Sequence, residues 1–128
     1  MARAPSSPSG PPVQVFGLEG DQSTRAALRF FKERRIAVQL SDLGKRPLAA
    51  GELRRFVERL GARAVANTEG KAWRDSGLAY LRMDDAELAE RLLADQRLLR
   101  LPLVRAGNLF AAGRDETAWK AIAAAGRE

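Results

Sequence analysis

Val13-Gln14-Val15-Phe16-Gly17, then Ser23-Thr24-Arg25-Ala26-Ala27-Leu28-Arg29-Phe30-Phe31-Lys32-Glu33-Arg34, then Ile36-Ala37-Val38-Gln39-Leu40 is the stretch that decides the fold. The first piece is a short β-branched run with period-two alternation, ended by Gly17, and reads as a strand. In the second, Thr24, Ala27, Leu28 and Phe31 recur at helical spacing, and Ala26 with Phe30 widens the apolar arc. A helix apolar over so wide an arc packs against a sheet. The third piece is another strand. Residues 13–40 therefore form a βαβ unit, whose crossover implies parallel strands joined in the right-handed sense.

Downstream the chain turns helical. Leu53, Phe56, Val57 and Leu60 keep helical spacing, with Gly61 placed as a C-terminal cap. Asn67 or Thr68 is expected to cap a short helix that runs through Trp73 and stops at Gly77. Asp84-Asp85-Ala86-Glu87 is a capping box. It predicts a helix with Leu88, Leu92 and Leu99 on one face, and Arg97 and Arg100 in its last turn against the dipole. Leu103-Val104-Arg105 and Leu109-Phe110-Ala111 flank Gly107-Asn108, a hairpin signal. A last helix starts at Asp115-Glu116, turns Trp119 and Ile122 inward and ends at Gly126. No internal repeat is present. The order is βαβ, a helical block, then ββα.

Composition narrows the chemistry. The 128 residues, 45% hydrophobic, are enough for one domain with a real core. Met1 to Pro12 holds a Pro, Ser and Gly run that cannot bury apolar area, and is expected to be a disordered tail ahead of a domain over 13–128. It lacks the apolar run of a secretion signal, and no stretch approaches the roughly eighteen unbroken apolar residues of a membrane span. A soluble cytoplasmic protein is the expectation, with no membrane as partner. There are no cysteines and no histidines, which removes disulfides, thiolate chemistry, the commonest metal ligand and the commonest general base. No metal site is expected. The 22 Lys and Arg against 16 Asp and Glu give a net charge of +6. Acids and bases alternate, as in Arg54-Arg55-Phe56-Val57-Glu58-Arg59, which reads as a solvated surface. With no interleaved exposed aromatics and no docking motif, nucleic acid is not an expected partner.

The element order, with Val15-Phe16-Gly17 followed by Thr24-Arg25-Ala26-Ala27-Leu28-Arg29-Phe30-Phe31, resembles the arsenate reductase and Spx-like family. Asn67-Thr68-Glu69-Gly70-Lys71-Ala72-Trp73-Arg74 resembles that family's asparagine-threonine-arginine-glycine segment. Leu98-Leu99-Arg100-Leu101-Pro102-Leu103-Val104 resembles its arginine-proline run before the third strand. The resemblance spans about Val13 to Ile122. It implies an α/β, thioredoxin-like fold (βαβ, helical insertion over about 44–100, ββα) in a bacterial cytoplasmic protein. It also implies that Pro102 is cis, where the sequence by itself favours trans.

The departures fall on the chemistry. The family's nucleophilic cysteine aligns with Asp21, its motif arginine with Glu69, and its oxyanion-binding arginine with Leu101. A reductase of this kind needs a thiolate stabilised by a helix N-terminus and cations, and arginines forked around an oxyanion. This chain therefore has no catalytic residue in the family's sense. The resemblance implies a residual pocket bordered by Gly17, Asp21, Ser23, Thr24, Arg25, Arg100 and Pro102.

Asp21 reads as an N-cap, or as a fixed negative charge standing in for a thiolate. Ser23 and Thr24 read as helix-start residues, since no histidine exists to activate either. Arg25 and Arg100 read as surface and dipole-compensating cations, or as the cations of the pocket. Trp73 and Trp119 read as core. The expected function is a non-catalytic binding or regulatory protein, with no thiol-based arsenate reductase activity. Its partner would be a protein, which by analogy with the Spx-like regulators belongs to the transcription machinery. The alternative is an oxidoreductase or transferase homologue that binds glutathione or a small oxyanion through Arg25 and backbone amides and borrows an external thiol. No other cofactor is expected.

Overall fold

A computed structural model describes residues 12–126. The expected tail over Met1–Pro12 lies, Pro12 excepted, outside the described residues. Four strands form one sheet in the order β2-β1-β3-β4. β1 (Val13–Gly17) runs parallel to β2 (Val38–Asp42), while β3 (Leu103–Ala106) is antiparallel to both β1 and β4 (Leu109–Ala112). α1 (Gln22–Glu33) makes the crossover between β1 and β2, and α6 (Glu116–Gly126) follows β4. Between β2 and β3 lie α2 (Ala50–Leu60), α3 (Ala62–Val65), α4 (Lys71–Ser76) and α5 (Asp85–Ala94). Short 3-10 turns at Leu78–Tyr80 and Gln96–Leu98 complete the insertion. This is the thioredoxin-like α/β arrangement that the βαβ and ββα signals imply.

The period-two alternation of the strands decides which side chains meet which helices. Val13 and Val15 of β1, with Val104 and Ala106 of β3, face one way. There they pack with Ala27, Phe30 and Phe31 of α1 and Trp119 and Ile122 of α6. Phe16 and Leu103 face the other way, into a second core with Leu53 and Phe56 of α2, Trp73 of α4 and Leu88 and Leu92 of α5. Phe56 meets Phe16 and Phe110 edge-on, with ring centroids 5.9 and 5.0 Å away. Arg105 of β3 reaches Glu52 of α2, Nε to Oε2 at 2.5 Å, with both side chains about four-fifths buried (19% and 20% exposed). An ion pair so buried carries a desolvation cost that offsets much of its Coulombic gain.

Three sequence expectations shift. β2 begins two residues later than the run at Ile36, because the chain is still closing α1 there. Arg35 N donates to Lys32 O, Ile36 N to Phe31 O, and Arg35 has a φ of 58°. The two-residue shift keeps Val38 and Leu40 on the α1 side. Asn67 and Thr68 do not cap α4, whose N-cap is Gly70 with no side-chain bond; Asn67 N instead donates to Leu98 O. Gly77 does end that helix, at a φ of 75°. Finally, α5 opens on the expected capping box but stops at Ala94, so Leu99, Arg97 and Arg100 are not on it. Asp95 turns the chain out, and Leu99 pairs in an isolated bridge with Ala66. Arg97 and Arg100 therefore do not compensate that helix dipole.

Candidate functional site

The turn from β1 into α1 is built by its own residues. Asp21 N donates to Leu18 O at 3.0 Å, closing the turn, and Arg25 N donates to Asp21 O at 3.0 Å, opening the helix. Asp21 has extended backbone angles, φ −80° and ψ 128°, as an N-cap does. Its Oδ2 accepts from both Thr24 N and Thr24 Oγ1, each at 2.8 Å. The cap reading of Asp21 is thus realised in the geometry. Thr24 is fully buried and its hydroxyl is committed to that carboxylate. Gly17 lies against it: a Cβ there would fall 2.7 Å from Thr24 Cγ2 and nearer still to Oγ1. Strand end and helix start can approach this closely because residue 17 has no side chain.

Facing the turn is the segment before β3. Arg100 N donates to Val65 O at 2.8 Å, which anchors the segment to α3. The Arg100 guanidinium folds back so that Nε and Nη2 donate to Ala66 O at 3.3 and 3.2 Å. Its stem lies over Gly113, where an added Cβ would meet Cγ and Cδ at 2.6 Å and where φ is +75°. The Leu101–Pro102 peptide is cis, as the resemblance implies; Pro102 is fully buried and its carbonyl accepts from Gly113 N at 2.9 Å.

Between these two segments opens a cleft of about 620 Å³. Of the residues expected at the pocket, Asp21, Ser23 and Arg100 line it. Gly17 and Thr24 lie beneath it, turned toward each other, and Pro102 is buried behind it. Arg25 is exposed outside the lining, because one helical step past buried Thr24 carries its side chain away from the cleft. Leu18, Leu43, Leu99 and Leu101 supply apolar wall. Glu69 is exposed and outside the lining; its carbonyl accepts from Arg74 Nη1 at 2.7 Å.

The cleft also holds Asn67, Gln96, Arg97 and Arg114, which sequence reasoning did not assign to it. Gln96 clamps Leu48 at both ends: Oε1 accepts from Leu48 N and Nε2 donates to Leu48 O, each at 2.8 Å. Arg97 forks onto Asp95, Nε to Oδ1 at 2.9 Å and Nη2 to Oδ2 at 2.8 Å. The hydrogen bond from Arg97 holds the Asp95 carboxyl below the ordinary carboxylate range, and the same bond raises the Arg97 guanidinium. Arg114 stands at the rim, 3.8 Å from Glu116, with both side chains a little over half exposed. Asn67 carried a signal, since it stands in the segment that resembles the family's motif. Arg114 carried none, since its place depends on how β4 meets α6. Among the described residues no three metal-ligating side chains cluster, and no helix is long and apolar enough to cross a membrane.

The ArsC family model matches residues 18–122, which includes the turn, the cleft and most of both cores. No curated protein matches the chain in sequence. Among solved structures, the YffB protein is similar with a TM-score of 0.78 and 23% identity, over 89% of this chain and 98% of its own. An arsenate reductase from Vibrio cholerae is similar with a TM-score of 0.75 and 19% identity, over 88% and 98%. An arsenate reductase (ArsC)-related protein from Brucella melitensis has a TM-score of 0.67 and 20% identity, over 92% and 97%. Identities this low speak for the shared fold alone. With the family model matched across most of its length, this cysteine-free chain belongs to the ArsC family.

Proposed function

We propose that the chain is a non-catalytic binding or regulatory member of the ArsC family. One observation carries the reading: Asp21, which the resemblance sets at the place of the family nucleophile, is a carboxylate whose Oδ2 caps α1 through both bonds from Thr24. A carboxylate so held cannot perform the attack of a thiolate on arsenic or sulfur. Two of the three arginines on the cleft are already engaged, Arg97 by Asp95 and Arg100 by Ala66 O. Leu101 lines the cleft where the family has its anion-binding arginine. A glutathione or oxyanion role through Arg25 draws no support from its exposed position outside the cleft. The partner, on this reading, is a cytoplasmic protein, by analogy with the transcriptional role of the Spx-like regulators.

The test has two arms. Purified protein is incubated with arsenate and either glutathione or thioredoxin as electron source, against a heat-inactivated control; no turnover is expected. Turnover above the control would overturn the reading. Affinity capture with wild type and with Asp21→Asn then asks whether the cleft is the docking site. Retention of one partner by wild type and its loss by the variant is the expected result.

A further inference from the structure

We infer that the groove between α1 and α6 docks an acidic segment of a partner protein. This rests on the protein-partner reading proposed above and names the surface and the chemistry that the partner uses. Charge is unevenly spread over the molecule. α1 and the turn that closes it carry Arg25, Arg29, Lys32, Arg34 and Arg35 against the single acid Glu33, so +4 of the net +6 belongs to residues 22–36. Arg25, Arg29 and Lys32 are exposed and recur at helical spacing, which sets them in one stripe. Elsewhere cations sit beside acids, Lys71 with Asp75, Arg97 with Asp95 and Arg105 with Glu52. The three side chains of the stripe make no ion pair among the described residues.

Beside the stripe lies a groove of about 350 Å³, where Arg29 and Arg34 of α1, Lys120 of α6 and Arg114 just ahead of α6 face Glu33 and Glu116. Lys120 makes no ion pair among the described residues, and Arg114 only the loose one to Glu116 at 3.8 Å. Arg34 is held in place: its guanidinium lies 3.6 Å over the Phe30 ring and its Nη1 donates to Phe30 O at 3.1 Å. Trp119, 1% exposed, belongs to the groove wall, and its buried Nε1 has no acceptor among the described residues. Guanidinium, ammonium and indole N–H groups donate and never accept, so this wall selects a ligand that brings oxygen acceptors, and the excess of cations selects an anionic one. Glu33 and Glu116 narrow the choice. A phosphate backbone carries like charge at every step and would meet both carboxylates, whereas a protein segment can set acids against the cations and a neutral or basic residue against Glu33. Phe30 and Trp119 are buried, so neither offers a ring for a base to stack on. Arg114 borders both the groove and the Asp21 cleft, so one partner can cover the two.

The full chain, labelled with nitrogen-15, is titrated at constant ionic strength with a capped peptide of alternating glutamate and alanine, with its glutamine counterpart, with duplex DNA and with inorganic phosphate. Saturable shifts at the amides of residues 26–34 and 114–120 and at the Trp119 indole N–H are expected with the glutamate peptide and not with the glutamine one. The indole of Trp73, in the other core, should stay unmoved. Arg29→Gln combined with Lys120→Gln changes two exposed residues, so it should fold, and it should bind the glutamate peptide about fivefold more weakly. Arg54→Gln combined with Arg55→Gln removes the same charge from the exposed side of α2 and should leave the affinity nearly unchanged. Equal weakening by the two pairs, tighter binding of duplex DNA or of inorganic phosphate at the same residues, or no saturable shift with the glutamate peptide would each overturn the inference. Those outcomes leave the non-catalytic reading standing, whereas arsenate turnover would remove that reading whatever the titration shows.

Discussion

Among the described residues three α-helices start at an aspartate, α1 at Asp21, α5 at Asp84 and α6 at Asp115, and the first two starts are built differently. At α5 the exchange is reciprocal. Asp84 Oδ1 accepts from Glu87 N at 2.8 Å, and Glu87 Oε1 accepts from Asp84 N at 3.1 Å. Both residues are exposed, and the cap serves only its helix. At α1 the corresponding third residue is Thr24, which sends its amide and its hydroxyl to one carboxylate oxygen and is itself buried against Gly17. That cap ties the helix to the end of β1, and it leaves the second oxygen unpartnered on a cleft. Equivalent local signatures thus serve one role at α5 and two at α1, and the difference comes from what the third residue packs against.

The comparison breaks most severely at Gly17, which has no counterpart at α5. Gly17→Ala inserts a Cβ into the Thr24 side chain, so Thr24 must move and both of its bonds to Asp21 lengthen or break. The expected loss is roughly 1–3 kcal/mol from overpacking, with part of the cap energy in addition. Urea midpoints, combined with amide exchange at residues 22–25, check it. Stability equal to wild type would mean that β1 and α1 can separate at little cost.

Next in size is Asp21→Ala, expected to destabilise by roughly 0.5–2 kcal/mol. Asp21→Asn and Asp21→Ser should recover most of that loss, since each keeps a side-chain acceptor for Thr24 N. If normal stability in Asp21→Ala came together with lost partner binding, the aspartate would be serving recognition and not the helix. Asp84→Ala should cost less, near the low end at about 0.5–1 kcal/mol, because water readily replaces the acceptor at an exposed helix start. Equal losses at Asp21 and Asp84 would erase the distinction between the two starts.

Local signals were legible wherever the physics was local. The alternation in Val13–Phe16, the stripe over Thr24–Phe31, the box at Asp84 and the Gly107-Asn108 hairpin each predict an element that the structure contains. What failed depended on distant partners. The apolar run at Ile36 looks like strand from its own composition, but α1 reaches past Arg34 to close on Phe31 O and delays β2. Leu99 keeps helical spacing with Leu88 and Leu92, yet it is drawn off that helix by pairing with Ala66, thirty-three residues earlier. The candidate site divides in the same way. Asp21 and Ser23 were legible as helix-start residues, because a helix start announces itself. Arg25 falls outside the cleft lining because a one-residue step along a helix decides its direction. Arg97 and Arg114 enter the cleft through the path of the chain after α5 and after β4, which no local pattern encodes.

The smallest expected effect sharpens the comparison with a further aspartate, Asp95, which follows α5 and holds Arg97 at the cleft. Its carboxyl is depressed below the ordinary range chiefly by the hydrogen bond from Arg97. A group depressed in the folded state contributes stability above its unfolded value, and loses it as pH falls through the folded one. The contribution of this pair should therefore be present at neutral pH, start to fall near about pH 4 and shrink further as pH drops through the depressed folded-state value. It is small, because the Arg97 side chain is 81% exposed and water screens the pair. Asp95→Asn should lower the thermal midpoint slightly at pH 7 and by progressively less as pH falls below about 4, with the capping bond to Arg97 N kept by the asparagine oxygen. The variant also frees Arg97 to turn toward the cleft, so sulfate binding should rise there while the folded state barely changes. A drop in stability that stays the same size all the way down the acid range would show that Asp95 acts through chain geometry and not through its charge.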